Sequence, residues 1–197
     1  HTVTEATSLT LVPATKMLAK GRAVIKFSGR YRTITSNGIP THRVGAFPNA
    51  GNPHKIKPQS HKFSVAYIPR KAFRTKKLGM DILMGVAVNG IPFDPMAAEF
   101  YLGNHKGWQY NALGGAIPLG LDANYAHVQP SGAYHYHGLP VGLMQELGWQ
   151  AGRPSPLIGY AADGFPIFAM TAKVDGKVKR MRSSCLLYTS DAADEED

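Results

Sequence analysis

The sequence has almost no cysteine. Its single thiol, Cys185, stands in an atypical C-terminal stretch, so neither a disulfide framework nor a cysteine-ligated zinc is available to the rest of the chain. Acidic residues are also scarce. Five of the thirteen lie in residues 191–197, which leaves eight in residues 1–183 against all 22 lysines and arginines. A body this basic attracts polyanions in general, anionic glycans and surface polymers included, without selecting one. The two basic runs, "RKAFRTKK" (70–77) and "KVKRMR" (177–182), hold a single aromatic, Phe73, and no recognition module, so nucleic acid is not a predicted partner. No apolar run is long enough to span a membrane. A phosphate-binding glycine loop with lysine is missing, and Ser131 lacks the strand–elbow–helix context of a hydrolase nucleophile.

What the chain does have is glycine and proline, 21 and 14 of them, dispersed rather than bunched. That pattern predicts many short elements joined by turns, the signature of a β-rich fold. The expected architecture is one mainly β domain, an antiparallel β-sandwich or barrel-like sheet with hairpins and one or two short helices. Residues 1–20 read as an N-terminal extension and 21–183 as the domain, incomplete at its C-terminal end. Residues 184–197, "SCLLYTSDAADEED", read as a non-native or disordered tail joined to a frame cut short.

Three related phrases punctuate the domain: Asn37-Gly38-Ile39-Pro40, Asn89-Gly90-Ile91-Pro92 and Asp163-Gly164-Phe165-Pro166. Asn-Gly and Asp-Gly accept positive φ at both centres of a two-residue turn, so each phrase predicts a hairpin tip. The longer matches "GVAVNGIPF" (85–93) and "GYAADGFPI" (159–167) predict a duplicated hairpin within one sheet system, each proline arm at a sheet edge. Strands are also expected in 22–29 and 62–68. One helix is expected from Pro95 to Gly103 behind an Asp94 cap, and a second from Pro140 to Gly148. Segments 41–60 and 103–118 read as surface loops.

The densest chemistry lies in "YAHVQPSGAYHYHG" (125–138). Side chains alternate along a strand, so His135 and His137 share a face while Tyr134 and Tyr136 take the other and pack a core. A three-residue loop Pro130–Gly132 with glycine as the bulge residue sets His127 opposite His135. Three imidazoles then converge, a set suited to a divalent transition metal, zinc or copper, with a coordination position left open. A loop one residue shorter or longer turns His127 away and leaves hydrogen-bonding histidines in an aromatic sheet. Asp122, Glu99 and Asp163 are the candidate carboxylates to complete the shell or orient a ring. His42, His54, His61 and His105 read as loop or surface residues, with His42 or His54 able to approach the patch. A competing function, a glycan-binding module, would use Trp108, Tyr110 and Trp149 as stacking surfaces. A third would have His1 chelate copper through its amine and ring.

These segments together, "SNGIPTH", "FPNAGNPH", "GVAVNGIPFDP", "WQYNALGG", "GAYHYHGLP" and "LIGYAADGFPIFA", resemble the YHYH-domain family, named for the tetrapeptide that stands here as Tyr134–His137. The resemblance implies export behind a signal peptide, hence a secreted or periplasmic protein, and a further sheet-forming portion after the "RSS" at 182–184. It implies no particular activity. The expected function is therefore an exported metal-binding protein, hydrolytic or redox if an enzyme.

Overall fold

The computed structural model describes residues 9–74, 83–105 and 108–181. His1, Cys185, the tail at 184–197 and part of each basic run lie outside the described residues.

Strands dominate: β1 (Ala23–Ser28), β2 (Tyr31–Ser36), β3 (His61–Ala66), β4 (Gly85–Ala87), β5 (Pro92–Phe93), β6 (Met96–Phe100), β7 (Gln109–Asn111), β8 (Ala126–Val128), β9 (Tyr134–Tyr136), β10 (Leu157–Ala161), β11 (Pro166–Phe168), β12 (Thr171–Val174) and β13 (Lys177–Arg180). One helix, α1 (Val141–Glu146), follows Pro140. The strands form a three-stranded sheet β1-β2-β3, a six-stranded sheet β11-β10-β4-β5-β9-β8, and two ribbons, β6-β7 and β12-β13. The fold is mainly β, and among the described residues no sheet closes into a barrel. Pairing is antiparallel except between β5 and β9, where Phe93 sits beside Tyr136 in parallel.

The duplicated phrases lie side by side. Hairpins β4–β5 and β10–β11 are neighbours in the large sheet, with Gly159 paired to Ala87. Their turns are not the expected two-residue type. Ala87 N–H bonds the Ile91 carbonyl while Gly90 N–H returns to Ala87, and Ala161, Phe165 and Gly164 repeat the pattern. Only the glycines, Gly90 and Gly164, take positive φ, the mark of a three-residue loop with a glycine bulge. The first phrase makes no hairpin. Asn37 instead ties the chain leaving β2 back to Arg22 and Lys20. The two-residue turn occurs where it was not expected, at Asp175 and Gly176 between β12 and β13, both with positive φ. Pro166 does lie on the edge strand β11. Pro92 lies inside the sheet, on a strand so short that its ladder passes through Phe93 and through the Asp94 N–H to the Tyr136 carbonyl.

The helix expected over 95–103 is replaced by β6 and a single 3-10 turn at Tyr101–Gly103. Ala97 is buried and Ala98 exposed, and pairing with β7 at Met96 and Phe100 outweighs what alanine contributes to a helix. Segments 41–60 and 103–118 are not simply surface loops: the first buries His42, Val44 and Asn52, and the second contains β7.

The main core forms on the tyrosine side of the large sheet, where Tyr134, Tyr136, Ala126 and Val128 pack with Val44, Phe93, Ile158 and the α1 residues Leu143 and Met144. A second, smaller core joins Ala97 of β6 and Ala112, the residue after β7, to Leu119 and Leu121. Residues Val12 and Lys16 bridge to Asp122 and Val44, so the segment from residue 9 is laced onto the body.

Candidate metal centre

The loop Pro130–Gly132 sets the register of β8 and β9. Gln129 N–H bonds the Ala133 carbonyl, Gly132 N–H returns to Gln129, and Gly132 has φ of 91°. Glycine is required there because an L side chain strongly disfavours that backbone conformation. The register that follows pairs His127 with His135 and Val128 with Tyr134. Beyond β9 the His137 N–H bonds the Tyr125 carbonyl, which carries the pairing one step further.

His127, His135 and His137 thereby come onto one face. Each pair of ring centroids is 4.7 Å apart, with interplanar angles of 66–76°. Nε2 of His137 lies 3.0 Å from Nε2 of His135 and 3.0 Å from Nε2 of His127. Among the described residues these three form the group whose ligand atoms all lie within 4.8 Å of one another. His135 and His137 are buried and His127 is half-buried.

The tautomers follow from the partners. Nδ1 of His127 lies 2.9 Å from the Leu119 carbonyl, and Nδ1 of His135 lies 3.4 Å from that of Ala133. A carbonyl only accepts, so both rings carry their hydrogen on Nδ1 and present a bare lone pair at Nε2. The smaller core holds Leu119, and so holds the carbonyl that aims His127. Asn52 also approaches His127 Nδ1, at 3.4 Å, but both atoms are donors in this assignment; its amide instead donates to the Val128 carbonyl at 2.9 Å. Nδ1 of His137 is buried without a well-formed hydrogen bond, although the Pro95 backbone faces it.

Electrostatics keep the trio neutral. Burial and then the His127 charge lower His137 to about 4. Burial, followed by His137 and His127, lowers His135 well below the ordinary imidazole value. His127 is lowered by burial against the pull of the Leu119 carbonyl, Glu99 and Asp94, with His54 adding to the lowering. A neutral His137 has one N–H, which can serve only one of its two neighbours. With that proton on Nε2 one neighbour's lone pair is left without a hydrogen, and with it on Nδ1 both 3.0 Å contacts set lone pair against lone pair. A shared cation removes that conflict, and neutral imidazole nitrogens are its common ligands. The donor set could thus hold a metal ion.

A cleft of about 320 Å³ opens over the rings, with Met96, Glu99, His54 and Gln129 on its walls. The other two carboxylates expected from the sequence, Asp122 and Asp163, stand elsewhere. Asp122 is fully buried on the tyrosine side, accepting from Tyr134 Oη at 2.7 Å, Gly45 N at 2.9 Å and Asn124 N at 2.9 Å. Asp163 is exposed in the β10–β11 turn, facing the Phe165 N–H. His54 reaches the cleft and His42 does not. His42 is buried on the opposite side of the sheet, 2.6 Å from Tyr136 Oη, a role its distant sequence position hides. His61 is half-buried on β3 and His105 is exposed. Trp149 packs against the main core, whereas Trp108 is 81% exposed and Tyr110 lies beside Tyr101 in the β6-β7 region.

A family model described as YHYH protein matches residues 62–196. No curated protein and no solved structure gives a match.

Proposed function

The chain belongs to the YHYH family, and from that premise we propose that this domain binds a divalent transition metal, zinc or copper, through Nε2 of His127, His135 and His137. The observation that carries the reading is the crowding of three neutral imidazoles whose lone pairs no arrangement of protons satisfies. Three protein ligands at the floor of a cleft leave a coordination position for a small molecule, which favours a catalytic over a structural site. The ion would supply Lewis acidity, and copper would add one-electron chemistry. The chain's own contribution is to orient the rings through the Leu119 and Ala133 carbonyls, to keep them unprotonated, and to line the approach with Glu99 and His54. A secreted or periplasmic location, implied by the family resemblance, belongs to the same proposal, as does attraction of the basic body to anionic surface polymers. Among the described residues no helix is long and apolar enough to cross a membrane.

The test is metal analysis of protein purified without a histidine tag, stripped and reloaded with zinc, beside the His135→Ala/His137→Ala double variant. One ion per chain in the parent and none in the variant is the expected result. Equal traces in both would overturn the proposal.

A further inference from the structure

The scarcity of acids in the sequence is concentrated in one layer of the fold. Residues 6–80 contain no aspartate or glutamate and hold fifteen of the 22 lysines and arginines. The whole β1-β2-β3 sheet falls inside that stretch. Its inner face buries Arg32, Ile34 and Val65, and Arg32 lies there 3.7 Å over the Tyr160 ring. The register puts the alternate residues on the outer face, in rows that cross the three strands: Val24, Thr35 and Lys62, then Lys26, Thr33 and Ser64. All six are exposed except the half-buried Thr33. At the Val24 end of the sheet a cleft of about 320 Å³ opens, with Arg22, Thr35, Asn37, Gln59, Ser60 and Lys62 on its walls. It is lined by hydroxyls, amides and two cations, and among the described residues neither cation is in an ion pair.

We infer that this cleft and the outer face beside it bind a linear polyuronate, with Arg22 and Lys62 holding the carboxylate of one sugar and Lys26 that of another further along. The inference rests on the attraction to anionic surface polymers proposed above, which it makes specific, and is independent of the ion site. Charge density selects the class of polymer. Lys26 and Lys62 stand two strands and two residues apart, about 12 Å between backbones, whereas duplex DNA presents a charge about every 1.7 Å of its axis. Cations so sparse leave most of those phosphates unmatched. The hydroxyls decide between carboxylate and sulfate. A uronate keeps its ring hydroxyls free beside the carboxylate, where they exchange hydrogen bonds with the Thr33, Thr35, Ser60 and Ser64 side chains; a sulfate ester consumes the hydroxyl it modifies. The planar guanidinium of Arg22 offers two parallel N–H donors to the two carboxylate oxygens.

The tag-free chain is titrated with a galacturonate decasaccharide and, in parallel, with sulfated dextran, neutral dextran and duplex DNA of similar length, at about 0.15 M salt so that long-range attraction is screened. Two charge-removing double variants are compared, Arg22→Gln/Lys62→Gln in the cleft and Lys173→Gln/Lys177→Gln on the β12-β13 ribbon, with thermal midpoints measured for both. Expected are saturable binding of the oligouronate, tighter than that of sulfated dextran or DNA, none of neutral dextran, and an affinity about 10–100-fold lower for the cleft variant alone at an unchanged midpoint. Equal weakening in the two variants, or none in either, would overturn the cleft and leave the general attraction standing. Sulfated dextran or DNA bound as tightly as the oligouronate would overturn the choice of polymer, and binding of neutral dextran would overturn the role of charge. No binding of any polyanion would overturn both the cleft and the attraction.

Discussion

The two faces of the β8–β9 hairpin are made from one alternating stretch and end in opposite states. On one face the hydroxyls of Tyr134 and Tyr136 are matched inside the protein: Tyr134 donates to Asp122, while Tyr136 meets His42 and receives the Asn89 amide. On the other face three imidazoles turn their Nε2 atoms toward one another with too few protons to go round. Both faces bury polar groups, yet only the first is closed on itself. Burial of a polar side chain therefore does not separate scaffold from site; the completeness of its hydrogen bonding does.

The comparison breaks most sharply at Asp122. Replacing it with alanine leaves the donors of Gly45, Asn124 and Tyr134 unsatisfied in the core. We expect a loss of about 3–5 kcal/mol, read as a fall in the urea midpoint. Tyr136→Phe removes one hydroxyl between His42 and Asn89 and should cost about 1–3 kcal/mol with zinc stoichiometry unchanged. If either substitution abolished zinc binding in protein still folded, the two faces would not be separable.

The histidine face should instead respond to acid. The unfolded chain protonates these imidazoles near their ordinary 6.5, whereas the metal-free fold holds all three lower, His137 at about 4. Their contribution to stability is therefore complete above pH 6.5 and declines as the pH falls toward 4, because the unfolded state takes up protons that the native state refuses. Urea midpoints measured across that interval should fall less for the His135→Ala/His137→Ala variant than for the parent. The smallest effect is expected at the turn. Gly132→Ala strains a φ of 91° and sets its Cβ 2.6 Å from Lys57 Cβ, the root of that side chain, a cost of about 1–2 kcal/mol measurable by thermal denaturation.

The hairpin was legible in the sequence because its determinants are local: Pro130, Ser131 and Gly132 set the loop, the loop sets the register, and the register gathers the histidines. The mainly β class was legible for a similar reason, in scattered turn residues. What escaped depends on distant parts of the chain. His42 finds Tyr136 across 94 residues, and its own neighbourhood, rich in glycine, asparagine and proline, resembles a loop. Asp122 has a site-like position in the sequence, but Tyr125, with φ of 52°, turns the chain between it and β8, and its carboxylate meets Tyr134 on the far face. The expected helix behind Asp94 failed because a cap-and-proline signal is weaker than a partner strand, which only the fold supplies.

The most direct test of the shared-ion account is X-ray absorption at the zinc edge of the loaded parent protein. Three imidazole nitrogens at about 2.0–2.1 Å are predicted, with the imidazole signature lost in the double histidine variant. A shell of oxygen ligands alone, or the same imidazole count in the variant, would contradict it.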